Sequence, residues 1–368
     1  MGQIAKKSLP PGSEHSNNFD FLRLAAALSV LVSHQYALWG LPEPGLAGAR
    51  SLGGLGLLTF FSISGFLVAQ SWASDPHIGR FTTRRLLRLW PGLAIAVLAC
   101  ALILGPVVTH LSMRDYFVDP LFTRYLKNLY FAFRDGLPLR FEGSALPQAV
   151  NGSLWSLPLE FKCYVALALL GSAGLLYGRW QRIAVMAILV TSITYLVLRT
   201  YGLPWPQLHS WVFQQTSALE FGLFFFAGVM FHCIRLDSLN RRARGTLLAV
   251  AWLLAAAAWW TNLQPLAIWF ALPLTVLLIG LAGTPGLRRA GRFGDFSYGI
   301  YIYAFPVQQT VVWLYKERLD WSTALLLVIV VTLVLAAASW HLIEKQALKL
   351  KPRAKPPAVR QTTVIEPA

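Results

Sequence analysis

Apolar residues in this chain come in long unbroken runs separated by short polar stretches, without the alternation of a surface strand or the stripe of a surface helix. A run of about 20 apolar residues is what a helix needs to cross the hydrocarbon core of a bilayer. Ten stretches meet that requirement: 19–39, 53–72, 89–110, 153–177, 181–201, 213–234, 245–261, 265–283, 296–315 and 322–343. The seventh and eighth, either side of Asn262-Leu263-Gln264-Pro265, carry the weakest signal. The pattern predicts an all-α, polytopic integral membrane protein with about ten transmembrane helices. Residues 1–18 hold neither an apolar core nor a small-residue cleavage site, so the first span is expected to be an uncleaved anchor.

Composition agrees with this pattern. Of 368 residues, 56% are hydrophobic and 13% charged, with a mean hydropathy of +0.53. Soluble domains carry about 25% charged residues. The chain therefore lacks the polar surface a globule of this size would need, and aqueous disorder is excluded. Cys100, Cys163 and Cys233 all lie inside apolar runs and read as reduced filler, neither a disulfide framework nor a zinc site.

The net charge of +16 raises the question of nucleic acid, but the basic residues are scattered between apolar runs and no basic face belongs to a soluble fold. Their distribution instead orients the chain. Lys6, Lys7, the Arg80–Arg88 cluster, Arg179, Arg182, Arg235, Arg241, Arg242, Arg244, Arg288, Arg289, Arg292 and the Lys/Arg residues of the C-terminal tail fall on one side. Far fewer fall on the other, and most of those sit in 111–152 beside Asp115, Asp119, Asp135 and Glu142. The positive-inside rule and an even number of spans both predict cytoplasmic termini.

Three parts follow: a cytoplasmic segment 1–18, a transmembrane domain 19–343, and a basic tail 344–368 expected to be disordered near anionic headgroups. The aromatic-rich connection 111–152 is too long for a bare loop and is expected to lie along the outer face.

Ionisable residues within spans are costly and point to function or internal pairing. Arg23 and His34 are eleven residues apart, about 1100° around a helix, so they share a face some 16 Å apart along the axis. Taken singly, His34 is as well explained by packing and Arg23 by snorkelling to the interface. Glu160 enters from the outer end of the fourth span, at an expected depth similar to that of His34, where it could orient an imidazole; pairing with Lys162 is the plainer reading. Glu220 is a second buried carboxylate. Arg84 and Arg88 are i,i+4 and suit a phosphorylated ligand, although flanking arginines often only fix topology.

Several of these residues fall within a larger pattern. Arg23, ten residues, then His34 resembles the Arg-X10-His motif of the membrane acyltransferase 3 family. Phe60-Phe61-Ser62-Ile63-Ser64-Gly65-Phe66-Leu67 is similar to its aromatic Ser-Gly segment, and Arg84-Arg85-Leu86-Leu87-Arg88-Leu89-Trp90-Pro91 to its basic stretch. Asn151-Gly152-Ser153-Leu154-Trp155-Ser156-Leu157, followed by Glu160 and Tyr164, resembles its span-four signature, and Ser297-Tyr298-Gly299-Ile300-Tyr301 its late Ser-Tyr segment. The five motifs occur in the family's order across nearly the whole chain. One departure is Ala304, where many relatives carry a histidine; the hydrolase-like domain fused to some members is expected to be missing here.

The resemblance implies transfer of an acyl group, commonly acetyl, from cytoplasmic acyl-CoA to a hydroxyl of an extracytoplasmic polysaccharide, lipopolysaccharide or glycolipid. It places the protein in a bacterial inner membrane, with membrane lipid and polysaccharide-assembly proteins as neighbours and no metal. On this expectation Arg23, Arg84, Arg85 and Arg88 hold the CoA phosphates, His34 is the base or an acyl carrier, and Glu160 orients it. Ser64, Tyr298 and Tyr301 line the passage or stabilise the oxyanion, and Trp155 and Trp211 stack on sugars. A sugar- or lipid-precursor transporter or flippase is the competing reading, although no inverted repeat is visible; a non-catalytic assembly protein would make no special use of the Arg23–His34 register.

Overall fold

Within a bilayer a backbone must satisfy its hydrogen bonds internally, and this chain does so by becoming helical. The computed structural model describes residues 17–46, 50–203 and 216–352. Ten long helices run through the described residues: α1 Phe19–Trp39, α2 Leu52–Ser74, α3 Ile78–Ala99, α4 Ser156–Ser172, α5 Gly178–Thr200, α6 Thr216–Cys233, α7 Arg241–Trp259, α8 Gln264–Leu281, α9 Ser297–Tyr315 and α10 Trp321–Ser339. One stands at each position where the apolar pattern predicts a span. Seven helical stretches are both long and apolar enough to cross a membrane, including α1, α2, α5 and α8. The others extend past one end of their helix proper: Ile78–Val108 carries α3, Gly152–Ser172 carries α4 and Trp321–Leu348 carries α10.

Three boundaries differ from the sequence expectation. The Arg80–Arg88 stretch, placed ahead of the expected third span at 89–110, is the first part of α3, because His77 caps the helix and nothing breaks it before a π turn at Cys100–Leu104. The last helix runs through a second π turn, Trp340–Glu344, to Leu348, so residues 345–348 are helical where the tail was expected to begin. Within the 111–152 connection, Met113–Val118 and Pro120–Tyr125 are short helices followed by a 3-10 turn. The remainder of the tail, 353–368, and Trp211 lie outside the described residues.

The closest packing is between α2 and α6. A Cβ on Gly65 would stand 1.8 Å from the Phe225 carbonyl oxygen, and one on Gly228 would stand 2.3 Å from that of Ser62. Only glycine lets two helices approach so closely, which is how apolar helices gain contact when lipid offers no hydrophobic drive. At the periphery α7 buries only Ala251, and α5 buries Ser192, Tyr195 and Leu196. Their remaining surface is largely apolar and suited to lipid.

At the far end of α1, Gly40 (φ 73°) closes the helix in the left-handed conformation. The chain then turns back through a two-stranded hairpin, Gly45–Leu46 with Arg50–Ser51. Arg50 of this hairpin and Arg199 of α5 both donate to buried Glu220 of α6. Glu220 therefore ties three elements together at the end of the bundle opposite the arginine cluster. All three cysteines are free.

Candidate active site

The site is built by α1, α2, α3, α4 and α9 around a cavity of about 90 Å³. Arg23, Arg85, Arg88, Ser297 and Tyr298 line the end nearest the helix termini, here termed the basic end. Leu57, Phe60, Ser64, Ser156, Glu160, Tyr164 and Tyr301 line the interior.

The arginines of the basic stretch do not act as one patch, because helical spacing points them at different partners. Arg80 and Arg84 both grip Asp75, which ends α2: Arg80 Nη2 lies 2.5 Å and Arg84 Nη1 2.6 Å from its carboxylate oxygens. The paired hydrogen bonds from Arg80 and then Arg84 hold the Asp75 carboxyl well below the usual carboxylate range. Arg88 donates to Asp295, at 2.5 Å, with Arg23 Nη1 3.6 Å from the same oxygen. Burial alone would raise Asp295, but Arg88 and Arg23 beside it bring its pKa down to about 2. Arg85 is placed differently. Among the described residues it has no carboxylate within ion-pair distance; its one hydrogen bond goes to Ser71 Oγ at 3.4 Å, and its Nε is buried without a partner. Neither Asp75 nor Asp295 was singled out from sequence: Asp75 lies only five residues before Arg80 but in the turn that ends α2, and Asp295 is 207 residues from Arg88.

Glu160 closes the interior. Its Oε1 accepts from Ser64 Oγ at 2.8 Å and from the Tyr164 hydroxyl, which also lies 3.0 Å from Ser64. The two late tyrosines are already committed. Tyr298 donates to the Leu89 carbonyl at 2.6 Å, and Tyr301 donates to that of Ser153 at 2.8 Å with Ser156 Oγ 2.6 Å away. A phenol has one proton to give, so in this arrangement neither serves as an oxyanion donor. The cavity's remaining donors are guanidiniums, which makes its chemistry anion-binding.

The expected pairing of Glu160 with His34 is not found. Asn151 Nδ2 donates to the Ile302 carbonyl and Tyr301 reaches Ser153, so the chain entering α4 is already deep in the bundle. Glu160, further along, lies level with Ser64 and Tyr164 near the arginines. His34 lies against Phe305, ring centroids 5.1 Å apart, about one helical turn beyond Tyr301. It does not line the cavity. The Phe60–Tyr301 ring pair, at 5.8 Å, and Phe305 stand between. Counting spans assigned depth from helix ends, and a fourth helix that starts inside the bundle defeats that count.

No carboxylate pairs with His34 among the described residues; Glu43, in the turn after α1, acts on the ring only through its charge. Glu43 accepts from Ser33 Oγ. His34 Nδ1 is buried with no hydrogen-bond partner. Arg23 and His34 thus occupy one helix face, as the spacing predicts, but one lines the cavity and the other lies beyond its aromatic wall. Arg84 is turned to Asp75 and is absent from the lining. Trp155 packs edge-on against Phe221 at 5.3 Å, also outside the cavity. Ser64, Tyr298, Tyr301, Glu160, Arg23, Arg85 and Arg88 are brought together. Among the described residues no three metal-ligating side chains cluster.

Comparison with known proteins agrees with the motifs. The acyltransferase domain family matches residues 16–341, nearly the whole chain. The "O-acetyl transferase" of Shigella phage Sf6 is 30% identical over 335 residues, 90% of this chain and 96% of the relative. The "Nodulation protein 10" of Rhizobium leguminosarum bv. viciae is 31% identical over 386 aligned positions, 93% of this chain and 96% of the relative. No solved structure matches. With the family spanning the helices that build the cavity, the chain belongs to the acyltransferase 3 family and is a multi-pass membrane O-acetyltransferase.

Proposed function

We propose that the protein transfers an acetyl group from acetyl-CoA in the cytoplasm to a hydroxyl of an extracytoplasmic polysaccharide, lipopolysaccharide or glycolipid, in a bacterial inner membrane. The observation that carries this reading is the cavity itself: guanidiniums at its mouth and a closed interior with no other free donors, within a bundle of membrane-length helices. A ligand with phosphates at one end and a thin neutral arm at the other suits that shape. The excess of Lys and Arg at the basic end supports a cytoplasmic mouth.

On this reading Arg85, Arg88 and Arg23 hold the CoA phosphates, and Ser64, Glu160 and Tyr164 line the path of the pantetheine arm. His34, at the end reached from outside, takes the proton of the acceptor hydroxyl as its oxygen attacks the thioester carbonyl. The oxygen–carbon bond forms, the carbon–sulfur bond breaks, and the proton passes to the departing CoA thiolate. An acyl-histidine formed and then consumed at the same ring is the other form of this chemistry. In the described conformation Phe60, Tyr301 and Phe305 separate the cavity from His34, so the reading requires these rings to swing aside when the donor enters.

Membranes containing the protein should move labelled acetyl from acetyl-CoA onto endogenous glycan, and the Arg85→Ala, Arg88→Ala double variant should raise the donor KM more than the acceptor KM. An unchanged donor KM would remove these arginines from the donor site. Mass spectrometry of surface polysaccharide from a deletion strain identifies the acceptor.

A further inference from the structure

A second cleft, of about 310 Å³, is built wholly by the 111–152 connection. Small-molecule sites begin at about that size, roughly 300 Å³. Arg124, Arg134, Asp135 and Gln148 line it, with Leu137 and Leu139 among its apolar walls. Thr109, just past the α3 run, donates to the Pro138 carbonyl at 2.6 Å, and Ala145 N donates to that of Leu38, near the end of α1, at 3.0 Å. The cleft therefore stands at the end of the bundle away from the arginine cluster.

Its charged side chains are brought together by the backbone. Arg124 lies in the short helix Pro120–Tyr125, and the chain returns Arg134 to it through a 3-10 turn. Phe131 closes that turn in the left-handed conformation (φ 55°), which is costly for a residue other than glycine. Its ring is held by stacking on Phe161, centroids 4.7 Å apart. Buried Asn128 ties the two arms: its Nδ2 donates to the Tyr125 and Arg134 carbonyls, each at 2.7 Å, and its Oδ1 accepts from Arg134 N at 3.0 Å. Val150 N pins the other wall by donating to the Asp135 carbonyl at 2.7 Å.

The groups held in this way are uncommitted. Arg134 Nη1 donates to the Phe133 carbonyl at 2.6 Å, but its Nε is buried without a partner. Among the described residues Arg124, Arg134 and Asp135 make no ion pair. Two guanidiniums against one carboxylate leave the lining with a single positive charge. The carboxylate of a sugar acid answers that charge, whereas a phosphate monoester, at about −1.5 to −2, overshoots it. Guanidiniums take carboxylates through paired hydrogen bonds, and carboxylate and amide side chains suit hydroxyls. The cleft also adjoins the reacting end. Gln148 is followed by Ala149, which packs beside Leu38, Phe305 and Val312, and Phe305 is the ring against His34.

We propose that this cleft is an acceptor subsite that binds an acidic sugar unit of the glycan, its carboxylate on Arg124 and Arg134 and its hydroxyls on Asp135 and Gln148. This deepens, and rests on, the reading that the acceptor is an extracytoplasmic glycan.

The test uses the full-length protein in nanodiscs of purely zwitterionic lipid. The probe is surface polysaccharide from the deletion strain, either native or with its carboxyl groups reduced to alcohols. Reduction should weaken binding by about tenfold. Arg134→Gln should weaken binding of the native polymer, and raise its KM as acceptor, by about tenfold, as expected for loss of a hydrogen bond to a charged group. Arg124→Gln, at a more exposed position, should do so by about threefold. Both variants should bind the reduced polymer as the wild type does and keep the wild-type affinity for coenzyme A. Equal binding of the native and reduced polymers overturns the proposal, as do variants that bind the native polymer like the wild type. A defect equally large towards the reduced polymer also overturns it, since the arginines then only hold the loop. So does a defect confined to nanodiscs containing anionic lipid, which assigns them to headgroups. The binding measurements need no turnover. If the wild type binds the native polymer but moves no acetyl from acetyl-CoA, the transfer reading fails and the subsite stands, so the two failures are distinguishable.

Discussion

Glu160 and His34 are both polar groups sunk into the helical bundle, and they are finished in opposite ways. Glu160 has two hydroxyl donors on one oxygen, Ser64 and Tyr164, and faces a cavity whose uncommitted donors are guanidiniums. His34 has a ring nitrogen with no partner, an aromatic ring against it, and Glu43 as the nearby charge. A satisfied network holds a shape, whereas a buried unsatisfied nitrogen costs free energy. Under the proposed function the region around Glu160 is the holding part and the region around His34 the reacting part.

The sharpest way to break that division is His34→Ala. Loss of a general base costs about 10²–10⁴-fold in rate, so acetyl transfer should all but vanish while coenzyme A still binds. Substantial residual transfer would move the base to the Glu160 side. Glu160→Gln should lower turnover by roughly tenfold to a hundredfold, the range expected when hydrogen bonds to a charged group worth about 1.5–3 kcal/mol are lost. Its pH–rate profile should keep the wild-type shape; a changed profile would mean that Glu160 titrates in the reaction itself.

Gly152→Ala probes the wall between the two regions. A Cβ there would meet the Phe305 ring at 2.7 Å, pushing it towards His34. The overpacking should cost about 1–3 kcal/mol, read as a lower thermal midpoint, with kcat reduced and the donor KM little changed. The smallest effect is expected from Asp75→Asn, which loosens Arg80 and Arg84 without touching the cavity: a donor KM within about threefold of wild type, since none of the three lines the cavity. The sign of its pH dependence follows from the depressed carboxyl. A lowered folded-state value contributes stability above the ordinary carboxylate range and loses it only as pH falls through the folded value. The difference in thermal midpoint between wild type and Asp75→Asn should therefore stay constant from pH 8 to about pH 5 and shrink only in stronger acid.

Much of this was legible from the chain. A helix stands at each of the ten predicted spans, and the family assignment followed from Arg23, His34, the Arg84–Pro91 stretch and the later motifs. Arg23 and His34 do share a helix face. Which polar groups meet was not legible. Arg84 and Arg88, read as one phosphate-binding pair, are divided between Asp75 and Asp295, because an i,i+4 pair shares a face while each long side chain still reaches for its nearest carboxylate. Glu160 and His34 were paired by a depth count that assumes every helix starts at the rim, and α4 does not.

Apolar run length, helical period and the placement of basic residues are properties of consecutive residues, and through them the sequence alone determined a polytopic helical membrane protein; the five motifs, short runs themselves, carried its resemblance to the acyltransferase 3 family. Depth, pairing and enclosure belong to contacts between residues as far apart as Arg88 and Asp295, or Ser64 and Glu160. Only the tertiary structure decided them, because a buried charge settles on whichever partner the packed helices bring within reach, and that choice leaves no periodic trace in the chain.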